Sequence, residues 1–293
     1  MFTKVLVGVD GSDNSRDAIA LAQRMTPPGG QLTLANVQCG EFPGFATISE
    51  SLLDAQREQA EQLLLAERDA AGVDAQIAAV FAPTPGRGLH EYAEDHGADL
   101  IVVGSCHRGL IGRVMLGDDT AEALNGAPCA VAIAAHGYAA APVELKRIGV
   151  GYDGSPESKA ALAAAKDIAE RSGGELSALQ VIGIPTFTYT GVVPALTGES
   201  VDVLLEEATG RLKEMPDVAA RAVYGVPGEE LSAFSDELDL LVVGSRNFGP
   251  LRRRIVGSTT NYLERHTRCS MLNLPRSALK TQESRPPGVS VAV

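Results

Sequence analysis

Short apolar runs rich in β-branched residues alternate along the chain with longer stretches in which apolar residues recur every three or four positions. Lys4 to Val9 reads as a strand and Ser15 to Arg24 as a helix; Gln31 to Val37 is a strand, followed by a long amphipathic helix over Ser51 to Ala71. Ala75 to Val80 is a strand, Pro85 to His96 a helix with proline in its first turn, and Leu100 to Val103 a strand. A helix from about Asp118 to Leu124 and a strand over Ala130 to Ala134 complete the series. The order then repeats, with a helix from Ser158 to Arg171 stopped at Gly173, a C′ glycine. Strands this continuously apolar are buried on both faces, as in a parallel sheet covered by helices.

The repetition extends to individual residues. Val7-Gly8-Val9-Asp10-Gly11-Ser12 recurs as Val150-Gly151-Tyr152-Asp153-Gly154-Ser155, and Val102-Val103-Gly104-Ser105 as Val242-Val243-Gly244-Ser245. Gly117 and Gly257, and Cys129 and Cys269, recur at the same interval of about 140 residues. The chain is therefore one domain counted twice, residues 1–137 and 146–276, joined by the Ala/Pro-rich stretch from His136 to Lys146. Residues 277–293 lack periodicity and read as a flexible tail. Each copy is predicted to be an α/β unit, a doubly wound parallel sheet of five strands in the order 3-2-1-4-5, because crossovers are right-handed and both faces need cover. Winding reverses between the first and fourth strands, and sheets of this type bind ligands in the crevice beyond that reversal. Asp10/Asp153 and Gly104/Gly244 stand at the ends of those two strands.

Composition narrows what could bind there. With 37 acidic against 25 basic side chains the net charge is −12, so the surface repels nucleic acid and anionic membrane. A phosphate-bearing ligand must be held by a local device. The apolar run after Met1 is too short for a signal peptide, and none reaches about 18 residues, which predicts a soluble cytoplasmic protein without membrane contact. Cys39, Cys106, Cys129 and Cys269 show neither C-x-x-C nor zinc spacing, as suits a reducing compartment.

The second copy supplies a candidate device after its fourth strand. The glycine-rich run from Gly244 leads to Gly257-Ser258-Thr259-Thr260 and a helix towards His266, with Arg246 and Arg252 to Arg254 nearby. A helix start offers unpaired N–H groups and about half a positive charge, enough to receive a phosphate chain without a cationic surface. Hydroxyls at 258, 259 and 260 add donors. The alternative is that Gly257-Ser258 only caps a helix. Asp10 and Asp153 can accept from the amino or ribose hydroxyl groups of a nucleotide, or else close an Asx turn that starts the first helix.

Val-x-Val-Asp-Gly-Ser, Val-Val-Gly-Ser and the spaced glycines together resemble the universal stress protein family, over nearly the whole chain and in tandem. The resemblance implies Rossmann-like domains. It implies ATP, with or without Mg, whose adenosine lies near the first-strand aspartate and second-strand valine and whose phosphates lie on the glycine signature. Carried over, the positions are Asp10, Val37, Gly104 and Gly117 in the first copy, and Asp153, Val181, Gly244, Asn247, Gly257 and Ser258 in the second, with Thr259 and Thr260 beside them. It also implies pairing of the domains as an intramolecular pseudo-dimer through Ala130 to Ala134 and Ser270 to Leu274, and leaves open a further homodimer. The copies depart from the signature differently. His107 and Asn247 replace its second glycine, and Asp118, followed by Asp119, stands in the first copy where Ser258 stands in the second. Two carboxylates at a helix start satisfy the dipole themselves and repel a triphosphate. ATP is expected mainly in the second domain.

Other signals weigh less. Gly149-Val-Gly151-Tyr-Asp-Gly154 matches a dinucleotide fingerprint, but the next strand ends at Gln180-Val181 without the acid that would take a ribose. His90, Glu91 and His96 lack the H-E-x-x-H spacing and read as a solvated helix face, and Cys106-His107 lacks further metal ligands. Three readings of function follow. The first is a non-catalytic or very slow adenine-nucleotide-binding protein of the stress response, the last part implied by the resemblance. The second is an enzyme that hydrolyses or transfers phosphate, with Asp118 and Asp119 its nearest carboxylates. The third is a structural pair with relic sites.

Overall fold

The computed structural model describes residues 2–39, 50–105, 111–114, 122–183, 198–213, 215–245 and 258–275. In the first half these form β1 (Lys4–Gly8), α1 (Asp13–Met25), β2 (Gln31–Cys39), α2 (Glu50–Ala71), β3 (Gln76–Ala82), α3 (Pro85–His96), β4 (Leu100–Gly104) and β5 (Ala130–Ala134). The second half gives β6 (Arg147–Gly151), α4 (Pro156–Ser172), β7 (Glu175–Gly183), α5 (Gly198–Lys213), β8 (Ala219–Gly225), α6 (Pro227–Phe234), β9 (Leu240–Ser245), α7 (Ser258–His266) and β10 (Ser270–Pro275). The helix expected over Asp118 to Leu124 is described only at residues 122–124, which are helical. Gly173 does stop α4, with φ 60° and its N–H returned to the Ala169 carbonyl.

The strands make one sheet in the order β3-β2-β1-β4-β5-β10-β9-β6-β7-β8. Each half is thus wound 3-2-1-4-5, all parallel. The halves join where β5 and β10 pair antiparallel, Ile133 opposite Met271 and Val131 opposite Asn273. Side chains alternate between the two faces, so Val5, Val7, Leu100, Val102, Leu240 and Val242 build one core with α1, α2 and α4. Leu6, Ile101, Val103, Leu241, Val243 and Met271 build the other, with α3, α6 and α7. Both cores run unbroken across the join.

The stretch from His136 to Lys146 is packed rather than merely connecting. Asp17, on α1 and only 2% exposed, accepts from the backbone N–H of Gly137 and of Ala139, both at 2.7 Å. Tyr138 and Leu145 are buried in the shared core, and the Tyr138 hydroxyl donates to the Val143 carbonyl at 2.8 Å. From the other half Arg171 donates to the Met25 carbonyl at the end of α1. The strand beginnings are pinned alike in both copies: the Asp99 carboxylate accepts from Thr3 and Lys4 N–H, and that of Asp239 from Lys146 and Arg147 N–H.

Replacing Asp17 with Ala strips two backbone donors of their acceptor. Gly137 is half-buried and Ala139 exposed, so water can take over part of the lost acceptor, and Asp17→Ala is expected to lower stability by roughly 1–3 kcal/mol, seen as a lower midpoint in urea unfolding, with Asp17→Asn losing less.

Candidate functional site

Because α1 and α4 cover one face while α3 and α6 cover the other, the winding reverses in each half between the first and fourth strands, the place where sheets of this type open a crevice. In the second half it is a cleft of about 400 Å³. Leu179 and Val181 of β7 and Val243 and Gly244 of β9 line it along the sheet, and Pro227 and Leu231 of α6 form an apolar wall. The polar lip is built from Tyr152, Asp153, Ser155 and Ser158 on one side and Thr259 and Thr260 on the other, above Leu263. Five expected residues therefore meet around one space: Asp153, Val181, Gly244, Thr259 and Thr260.

Local hydrogen bonds fix the lip. After Gly151 the chain turns at Gly154, whose φ of +79° suits glycine. Asp153 Oδ1 accepts from Ser155 N–H at 3.0 Å, and Ser155 Oγ, the N-cap of α4, accepts from Ser158 N–H at 3.2 Å. The first copy repeats this, with Ser12 donating to Asp10 Oδ1 through its N–H at 2.9 Å and its hydroxyl at 2.6 Å. The Asx turn is thus formed at both aspartates, and it is this turn that holds the exposed carboxylate at the lip. Gly244 has a second duty. A Cβ there would lie 2.5 Å from the Glu157 carbonyl oxygen, so the first turn of α4 sits directly on the strand end, and Gly104 meets the Asn14 carbonyl in the same way.

Helix α7 carries the other side of the lip. It is held on α6 through Gly228, where a Cβ would meet the Tyr262 ring, and through the Ser232 hydroxyl, which donates to the His266 carbonyl at 2.7 Å. Its C-terminal end reaches the other half, for Thr267 O accepts from Val114 N–H at 2.9 Å. Thr260, Leu263, Glu264 and Thr267 form its buried stripe. Glu264 is only 6% exposed and its Oε1 has no hydrogen-bond partner among the described residues. Burial drives its pKa up from the ordinary carboxyl range to about 7, against a smaller opposing pull from Arg265.

In the first half Asp10 closes β1, Val37 lies on β2 and Gly104 ends β4, the same stations as Asp153, Val181 and Gly244. Gly117, Asn247 and Gly257 lie outside the described residues, as do Cys106, His107, Asp118, Asp119, Arg246 and Arg252 to Arg254. Ser258 is the first residue of α7. The wall residues Pro227 and Leu231 were not singled out by sequence, although Pro85 and Leu89 repeat them on α3. The dinucleotide-like glycines have a packing reason: a Cβ at Gly149 would strike Leu238 and Phe234, and one at Gly151 would press on Leu231. His90 departs from the solvated face expected of it, because it is half-buried and its Nε2 lies 2.8 Å from the Ala123 carbonyl, tying α3 to the segment before β5. Burial also pushes the Cys129 thiol up to about 12, leaving it an inert core residue.

The sequence model of the universal stress protein family matches the chain twice, over residues 1–135 and 144–275. The chain belongs to the universal stress protein family. A universal stress protein of Mycobacterium tuberculosis is 32% identical over 173 residues, 56% of this chain and 57% of that protein. One from Mycolicibacterium smegmatis is 32% identical over 170 residues, with the same coverage. The match thus spans little more than half the length of these curated relatives. Among solved structures, a universal stress protein from Archaeoglobus fulgidus shares the fold over 94% of this chain and 99% of its own, with a TM-score of 0.65 and 21% identity. No helix among the described residues of this universal stress protein is long and apolar enough to cross a membrane.

Two outcomes are expected from the cleft's construction. Gly244→Ala forces the start of α4 off the strand end, lowering the thermal midpoint by an amount equivalent to roughly 1–3 kcal/mol. Glu264→Leu removes a buried acid whose folded pKa lies above its unfolded value, so the unfavourable contribution of Glu264 is complete above about pH 7 and fades as pH falls towards about 4.5. The variant is therefore more stable than the parent by about 2–3 kcal/mol at pH 8, with the gain shrinking in acid, as measured by urea unfolding across pH.

Proposed function

We propose that this universal stress protein is an adenine-nucleotide-binding protein of the stress response, that its second-domain cleft takes ATP, and that the first domain binds weakly or not at all. The supporting observation is the meeting of Asp153 and Val181 with Thr259 and Thr260, at the start of α7, around a single cleft of about 400 Å³. Its apolar wall of Pro227, Leu231 and Val181 suits a base, its aspartate suits the amino or hydroxyl groups of adenosine, and the helix start suits phosphates. The domain preference rests on sequence, for Asp118 and Asp119 occupy in the first copy the positions of Ser258 and Thr259. Mg, in this reading, travels on the phosphates. Cytoplasmic residence and further self-association belong to the same reading.

Calorimetric titration with ATP tests it. Ser258→Asp places a carboxylate at the start of α7 and is expected to weaken binding by more than about tenfold, while Asp118→Ser creates or strengthens a second binding event. Undiminished affinity in the Ser258→Asp protein overturns the assignment to the second domain. A phosphate-release assay on the same samples distinguishes binding from turnover.

A further inference from the structure

At two buried places near the cleft the second copy carries a polar side chain with an unpartnered oxygen where the first copy is aliphatic. Glu264 on α7 occupies the position of Leu124, which is 5% exposed in the first copy. Asn273 on β10, 3% exposed, occupies that of Ile133. By the pleat alternation Asn273 points to the same sheet face as Met271, the face that α7 covers. Asn273 Oδ1 and Glu264 Oε1 both lack a hydrogen-bond partner among the described residues. Glu264 follows Thr260 by one helical turn on the same stripe, and Thr260 is on the cleft lip.

The surroundings of Glu264 offer its charge little. Helix α6, packed along α7, carries Glu229 and Glu230, and the turn that follows it carries Asp236 and Glu237. The strands β5, β9 and β10 bear no charged side chain. The segment that donates to Thr267 bears Arg113, and α7 itself bears Arg265 and His266, beyond which lies Arg268. Of these groups only Arg265 acts appreciably on the Glu264 carboxyl, and burial outweighs it.

We propose that Glu264 is a proton-coupling residue of the nucleotide cleft: phosphates settle at the start of α7 with Glu264 as the neutral acid, so that binding draws a proton from solvent onto its carboxyl. This rests on the nucleotide-binding reading above. An ionised Glu264 would be a buried, unpaired negative charge in the helix that receives the phosphates, and the dry region between α7 and the sheet screens it poorly. Each added phosphate charge therefore makes ionisation harder. Bound nucleotide raises the pH at which Glu264 loses its proton, and by linkage affinity falls as pH rises from the free protein's titration to that of the complex. The carboxyl acts through its charge and touches no ligand; it is a positioning residue.

ATP titrations in two buffers of different ionisation heat, repeated from about pH 6.5 to about pH 8.5, count the protons taken up. The nucleotide's own terminal phosphate titrates in the lower part of this range, so the informative quantity is the difference between the parent and Glu264→Gln, with Glu264→Leu as a second variant that takes the residue of the equivalent position, Leu124. Near pH 7.5 the parent is expected to take up a sizeable fraction of a proton more than either variant. Its Kd should rise roughly three- to tenfold more across the range. Equal uptake and parallel Kd curves overturn the proposal while leaving nucleotide binding intact. Absence of any binding heat in parent and variants alike overturns the nucleotide reading, and this inference with it.

Discussion

The antiparallel pairing of β5 with β10 is the constraint from which the rest of the molecule follows. Without it each half would present an edge strand made of unpaired peptide groups and wholly buried-type residues, Ala-Val-Ala-Ile-Ala on one side and Ser-Met-Leu-Asn-Leu-Pro on the other. Pairing turns two edges into the centre of a ten-stranded sheet and makes each core continuous with its twin. It also sets the positions of the remaining parts. The stretch between the halves leaves β5 beside α1, where Asp17 can take its N–H groups, and the end of α7 comes within hydrogen-bonding distance of Val114. The edges left over are β3 and β8, the latter guarded by Arg221, which stacks on Phe234 and pairs with Glu237.

Much of this was legible in the sequence because it is local. The alternation in Leu100-Ile-Val-Val and the proline and glycine bounding Pro85 to His96 are written in neighbouring residues, and the strands and helices fall within a few positions of where the pattern puts them. What could not be read depends on partners far along the chain. Asp17 looks like a polar interruption in an apolar helix, and its acceptor role exists only because residues 137 and 139 return to it. His90 looks like part of an exposed face until the segment before β5 is laid beside it.

Repetition proved an ambiguous guide, for a physical reason. Asp99 and Asp239 recur as faithfully as Asp10 and Asp153, yet they pin the starts of β1 and β6 and lie far from the crevice in their task. Gly104 and Gly244 recur because α1 and α4 must approach the strand ends, whatever binds there. Duplication preserves whatever the fold requires. Hence the identity of a repeated residue carries less functional information than a difference between the copies at a place where the fold is indifferent.

Three differences between the copies lie at or near the cleft of the second half. Val9 becomes Tyr152 at the lip, Leu124 becomes Glu264, and Ile133 becomes Asn273. The first copy demonstrates that an aliphatic residue serves the fold at the two buried places, so the polar replacements lower stability without any gain in packing. A protein held together by a few kcal/mol of net stability keeps two such groups only where something offsets them. Among the described residues no hydrogen bond does so. For Glu264 a proton is one such offset, since the neutral acid costs less to bury than the carboxylate, and α7 is the helix on which the second-domain cleft depends for its threonines.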